Sequence, residues 1–224
     1  MEQSSVLPPF FQDRSDAGRR LADALEEYAG RTDVVVLGLP RGGVPVAREV
    51  AHRLHAPLDV LLVRKLGVPG HRELAMGAIA AGDVRVLNRD VIDEFGVTPA
   101  AIDAVTSAQR DELARRAQRY RDGRARVDLR GKTVILVDDG LATGATMRAA
   151  IHGVRAHDPA RLVVAVPIAS ADVCEALQPS VDDLICLETP AYFLSVGAWY
   201  HDFDQTTDRE VQAALDASRD AFEA

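Results

Sequence analysis

Four short runs built almost wholly of apolar residues constrain this chain more than any other feature. They are Val34–Leu39, Leu58–Val63, Thr133–Val137 and Leu162–Ile168, with Asp183–Leu187 a weaker fifth. A strand with one wet face alternates apolar and polar residues. A strand that stays apolar throughout is buried on both faces, as in a parallel sheet covered by helices. Helix-period segments lie between these runs. Val44–His55 carries Ala47, Val50, Ala51 and Leu54 on one side, and Pro45 suits a first helical turn. Thr146–His157 leads into an Asp158-Pro159 turn. The alternation predicts an α/β fold: a doubly wound, mainly parallel sheet with helices on both faces. The 224 residues fit one such domain, taken as 1–224.

Three stretches stand outside the alternation. Ser15–Gly30 reads as a helix with Leu21, Leu25 and Tyr28 on one side and Gly30 as its stop. Asn88–Arg124 reads as two helices, the first ending at Gly96 and the second starting at Thr98-Pro99 with Ile102, Val105, Leu113 and Tyr120 aligned. Arg115, Arg116, Arg119, Arg121, Arg124 and Arg126 crowd its end. They form either a solvated face beside a helix C-terminus or an interface or phosphate-facing lid. Thr207–Phe222 opens on a capping box of Thr207 and Glu210.

The chemistry is concentrated in Val134–Met147, VILVDDGLATGATM. Four apolar residues lead to Asp138 and Asp139. Gly140, Leu141, Ala142, Thr143, Gly144, Ala145 and Thr146 follow, and then helix formers. Ligands of open α/β sheets sit off the carboxyl ends of the strands. Small residues let backbone N–H groups approach a phosphate, and a helix N-terminus adds more of them with a favourable dipole. The glycine spacing is too short for a nucleoside triphosphate loop, no lysine follows, and the dinucleotide pattern GxGxxG is absent. A loop for one phosphate beside two carboxylates remains. Carboxylates repel phosphate, and they suit the vicinal hydroxyls of a sugar.

This run resembles the phosphoribosyl-pyrophosphate signature of the type I phosphoribosyltransferases: an apolar strand, two acids, and a small-residue loop ending T-G-x-T. The resemblance implies that Asp138 and Asp139 hold the ribose hydroxyls and that Gly140–Thr146 holds the 5-phosphate. It also implies Mg2+ as cofactor, met by Asp138 and Asp139 directly or through ribose hydroxyls or water. Phosphoribosyl pyrophosphate and a nucleobase-like acceptor would be the ligands. Leu39-Pro40-Arg41-Gly42-Gly43 is similar to the family's pyrophosphate loop, with a strained peptide bond near Arg41–Gly42, although a strand followed by RGG would by itself be only a turn. Arg64 and Lys65 would meet the pyrophosphate. Leu66–Glu73 resembles the flexible loop, with His71, Arg72 and Glu73 at its tip, and Glu73–Ala80 returns toward the core.

Tyr192, Phe193, Trp199, Tyr200 and Phe203 crowd one segment of a chain with only 5% aromatics. They either stack on a flat base or staple the C-terminal segment. The segment resembles the base-covering region of purine phosphoribosyltransferases, which implies Trp199, Tyr200 and Asp202 as acceptor contacts and a role in purine salvage. The hood would span about 1–30 and 188–206, with Phe10–Arg20 completing it, and 88–125 would be a helical insertion. Two departures argue against a 6-oxopurine acceptor. Ala142 stands where those members place an Asp, and Leu162–Ile168 contains no Lys.

A net charge of −8 disfavours non-specific binding to nucleic acid or anionic membrane. No secretory segment or membrane-length apolar run is present, and Cys174 and Cys186 read as small buried hydrophobes in a reducing cytosol. The expectation is a cytoplasmic Mg2+-dependent transferase of ribose 5-phosphate. A homodimer is a candidate because dimers are common in the family. The alternatives are a non-catalytic phosphoribosyl-pyrophosphate sensor and a phosphoribosyl pyrophosphate hydrolase.

Overall fold

The computed structural model describes residues 10–80, 84–121 and 127–223. Arg124 and Arg126 of the arginine-rich stretch lie outside them, as do the side chains of Arg72, Glu73 and Arg121. The chain opens with α1 (Arg14–Ala24), capped by the Asp13 carboxylate on the N–H of Asp16. The elements β1 (Val34–Gly38), α2 (Gly43–Leu54) and β2 (Leu58–Val60) follow. A three-stranded antiparallel unit comes next: β3 (Val63–Val68), β4 (His71–Ala80) and β5 (Val84–Leu87). After it come α3 (Arg89–Glu94) and α4 (Pro99–Arg121). The rest alternates: β6 (Thr133–Val137), α5 (Ala145–Arg155), β7 (Arg161–Ile168), α6 (Ala171–Leu177), β8 (Asp183–Glu188) and finally α7 (Asp208–Glu223).

The main sheet has five parallel strands in the order β2-β1-β6-β7-β8. Residues alternate between its faces. Val34, Val36, Ile135, Val137 and Val163 pack under α1 and α2, while Val35, Leu37, Val134, Leu136 and Val164 meet Met147, Ile151 and Val154 of α5. Both faces are therefore apolar, which is why the strands read as unbroken apolar runs. The half-buried Cys174 and Cys186 are free thiols packed against this core. The chain leaves β1 toward one side of the sheet, and β6 lies on the other. The strand order thus reverses between β1 and β6, and the crevice at their carboxyl ends is the place where such sheets bind ligands.

The expected second strand, Leu58–Val63, is two pieces. Only Leu58–Val60 joins the main sheet, and Val63 already begins β3. The stretch Leu66–Glu73, expected to be a flexible loop, forms most of a hairpin. Pro69 and Gly70 make its turn, with Gly70 at φ 82°. Inward Leu66, Val68 and Met76 meet Ile102 of α4, and Val91 and Ile92 of α3 complete this second core. The charges of Arg64, Lys65, His71 and Arg72 disguise that alternation in the sequence.

Candidate functional site

β1 and β6 run in register, Gly38 opposite Val137, so the loops leaving them start side by side. From β1 comes Leu39-Pro40-Arg41-Gly42-Gly43. Its start is tied down by the Leu39 N–H donating to the Val137 carbonyl at 2.9 Å, and its Pro40–Arg41 peptide bond is cis. From β6 come Asp138 and Asp139. The glycine pair sits directly on these carboxylates. A Cβ on Gly42 would lie 1.9 Å from Asp139 Oδ2, and one on Gly43 would lie 2.9 Å from Asp138 Oδ1. No side chain fits there, so glycine at both positions is required by close approach.

The acids are electrostatically costly. Burial and the neighbouring Asp139 charge push the Asp138 carboxyl well above the usual carboxylate range. Burial also raises Asp139, while Arg14 pulls it back down. Asp138 Oδ1 accepts from the Asp139 N–H at 2.9 Å. Arg14, the first residue of α1, donates from Nε to Asp139 Oδ2 at 2.8 Å. Tyr200 donates from its hydroxyl to the Asp139 carbonyl at 2.6 Å.

The phosphate-loop candidate folds as its small residues require. Leu141 is buried and bridges to Ala169, with its N–H on the Ile168 carbonyl at 2.9 Å. Gly144 turns the chain at φ 66°, and α5 begins at Ala145. Ala142, Thr143, Ala145 and Thr146 are exposed around that turn, where first-turn N–H groups have no carbonyl partner within the helix. Arg148 closes over it with a 2.6 Å hydrogen bond to the Thr143 carbonyl.

The remaining sequence-derived residues divide. Arg41 reaches Asp208 at 3.9 Å. Arg64 donates to Gln109 of α4 at 2.9 Å and lines a small cavity with Pro40, Arg116 and Thr146. That cavity links the β1 loop, the first turn of α5 and α4. Lys65, next on the strand, faces the opposite side of the small sheet and is exposed. Trp199 is partly buried. Tyr200 is 5% exposed, with Phe11 and Phe203 at ring distances of 5.3 and 4.9 Å, so it offers no free ring face to a base. Its contact with the acids is the hydroxyl bond to the Asp139 carbonyl. Asp202 is exposed and borders a cavity of about 280 Å³ with Arg14, Arg48 and Asp204. A larger cavity, about 520 Å³, lies between α2 and α7 at the end of α2 away from the glycine pair.

The two hood segments meet through backbone bonds. The N–H groups of Phe10 and Phe11 donate to the Trp199 carbonyl, and those of His201 and Asp202 donate to Phe11 and Gln12. The inserted helix is anchored as well. Asp208 accepts from Tyr120 at 2.6 Å and from Arg119, which makes these arginines partly an interface with α7. Arg115 and Arg116 both pair with Glu112.

Acid pair, glycine pair and small-residue loop stand together at the reversal point of the sheet. A family model, the phosphoribosyl transferase domain, matches residues 12–196. The chain belongs to this family. A Mycobacterium tuberculosis protein that bears the name putative phosphoribosyl transferase is 54% identical over 215 residues, covering 96% of this chain and 48% of that protein. The chain thus spans about half the length of these curated relatives. A protein of Chloroflexus aurantiacus named bifunctional protein PyrR is 34% identical over 133 residues, 57% of this chain and 66% of that one. The solved structure of TT1426 from Thermus thermophilus is 46% identical, covers 92% of this chain and 97% of its own, and superposes with a TM-score of 0.84. The fold is that of the type I phosphoribosyl transferases: a mainly parallel five-stranded sheet with helices and a small antiparallel sheet.

Three residues around the site escaped the sequence reading as individuals: Arg14, Arg148 and Asp208. Arg14 did carry a signal. A cation in the first turn of a helix opposes the helix dipole and needs another reason to be there.

Proposed function

We propose that this chain transfers ribose 5-phosphate from phosphoribosyl pyrophosphate to a ring nitrogen of a nucleobase-like acceptor and releases pyrophosphate. The observation that carries this reading is the glycine pair seated on Asp138 and Asp139, with a Cβ at Gly42 excluded by a 1.9 Å approach. It joins a leaving-group loop and a sugar-binding acid pair into one site. Asp138 and Asp139 would accept from the ribose hydroxyls, and Gly140–Thr146 would hold the 5-phosphate. Arg41 and Arg64 would face the pyrophosphate; Lys65, on the other face of its strand, does not share that side. Trp199 and Asp202 remain the acceptor-side candidates, whereas Tyr200 supports Asp139.

Mg2+ fits the donor set. Among the described residues no group of three or more His, Cys, Asp or Glu could cage a metal. Mg2+ commonly uses one or two carboxylates together with substrate phosphates, and the acid pair provides those two. When bound, the ion would screen charge on the departing pyrophosphate. The protein positions the reactants and stabilises the charge that develops. Among the described residues no helix is long and apolar enough to cross a membrane.

The test is pyrophosphate release with Mg2+, phosphoribosyl pyrophosphate and a panel of purines, pyrimidines and other heterocycles. Release that depends on one base is the expected result and names the acceptor. Base-independent release would replace transfer by hydrolysis. Tight binding without turnover across the panel would replace it by sensing.

A further inference from the structure

The Arg14 guanidinium is held on three sides. Its Nε donates to Asp139 Oδ2 at 2.8 Å, its Nη1 donates to the Asp204 carbonyl at 2.7 Å, and its Cζ lies 3.9 Å from the centre of the Phe203 ring. The two charged side chains are only 13% and 15% exposed. At the N-terminus of α1 this cation works against the helix dipole, so α1 gains nothing from it. What it does satisfy is Asp139. Because the guanidinium is itself held by Asp204 and Phe203, the contact fixes the Asp139 carboxylate in one orientation.

We propose that Arg14 is the positioning residue of the ribose site: it occupies Oδ2 of Asp139 and leaves Oδ1 to accept from a sugar hydroxyl. The proposal rests on the reading of Asp138 and Asp139 as ribose ligands. The charged and titratable groups facing Asp139 are Asp138 in its own loop, Arg14 from α1 and Tyr200 from the hood, while Glu210 of α7 acts on Arg14. Arg14 is the one cation in that set. It also links the hood to the acid pair, so hood geometry and sugar binding are coupled through one side chain.

The experiment uses the full chain as wild type, Arg14→Lys and Arg14→Leu. Leucine keeps an apolar contact for Phe203, and circular dichroism melts verify folding. The binding of phosphoribosyl pyrophosphate and of ribose 5-phosphate with Mg2+ is followed by calorimetry at pH 7.5, with inorganic pyrophosphate, which has no sugar, as the control ligand. In Arg14→Leu the affinity for the two sugar phosphates should fall about tenfold, and that for pyrophosphate should hold. Arg14→Lys should restore most of the loss. Equal affinity of wild type and Arg14→Leu for the sugar phosphates, or an equal loss for pyrophosphate, would overturn the positioning role alone. Wild-type protein that binds no phosphoribosyl pyrophosphate would overturn the ribose reading itself, and the proposal with it.

Discussion

The hydroxyl of Tyr200 donates to the backbone carbonyl of Asp139 at 2.6 Å, across 61 residues of sequence. The bond ties the hood to the strand end that carries the acids, and burial raises the phenol well above its ordinary pKa, so it stays a donor. Tyr200→Phe keeps the ring between Phe11 and Phe203 and removes only this bond. The expected cost is about 1 kcal/mol of stability, a drop in melting temperature of about 2–4 °C. Turnover should fall about five- to tenfold if Asp139 loses its register. Unchanged turnover with a lowered melt would show that the bond is only structural.

Asp138 gives a pH-dependent prediction. Its folded-state pKa is raised above the ordinary 3.8, chiefly by burial and then by Asp139. Protonation therefore favours the folded chain: its contribution is present below 3.8 and is lost as pH rises through the folded value. Asp138→Asn keeps an oxygen for the Asp139 N–H and removes the buried charge. It should stabilise the protein by about 1–2 kcal/mol at pH 7.5, with the gain vanishing near pH 4, while sugar-phosphate binding falls by about tenfold or more. Melts at the two pH values and calorimetry check both halves. A destabilised variant at pH 7.5 would contradict the assignment.

Gly42→Ala places a methyl 1.9 Å from Asp139 Oδ2, so loop or carboxylate must move. Overpacking of this kind costs about 1–3 kcal/mol, and an ångström of displacement at a reacting centre costs about a hundredfold in rate. Stability by denaturant titration and initial rates would show both. Wild-type activity in the alanine variant would remove the glycine pair from the site.

At the start of α7, Asp208 gathers Tyr120 and Arg119 of α4 and Arg41 of the β1 loop. Hydrogen bonds from Tyr120 and then Arg119 hold its carboxyl below the usual range, while burial and Asp208 push the Tyr120 phenol up to about 12. The Asp208 contribution is present above 3.8 and is lost as pH falls through the depressed value. Arg119 is 60% exposed, so the buried Tyr120 bond should carry most of the effect. Asp208→Asn is expected to cost about 1–2 kcal/mol at pH 7 and less at pH 3. The KM for phosphoribosyl pyrophosphate should shift as Arg41 loses its restraint. Equal denaturation midpoints at pH 7 would count against the anchor.

The parts legible in the sequence share one property: neighbours along the chain make them. Val34–Leu39 and Thr133–Val137 announce buried parallel strands because both faces are covered. Val134–Met147 announces strand, acids, small-residue turn and helix because these follow in order. Thr207 and Glu210 cap α7 as their spacing indicates, with the Glu210 N–H on the Thr207 hydroxyl at 3.2 Å. The small antiparallel sheet was hidden because Arg64, Lys65, His71 and Arg72 give its hairpin the composition of a loop. The contacts of Arg14 and Tyr200 were hidden for another reason. Their roles are fixed by contacts 125 and 61 residues distant, and no local pattern encodes those.

Those separations also set a timetable for synthesis. At roughly 5–20 residues per second, a ribosome adds Tyr200 about 3–12 s after Asp139. Arg14 is made long before either. The nascent chain can therefore offset the buried acids with a cation well before it can fix them with a phenol. The carboxylates acquire their counter-charge early and their final seat late, and the finishing step belongs to one of the last segments of the fold to emerge.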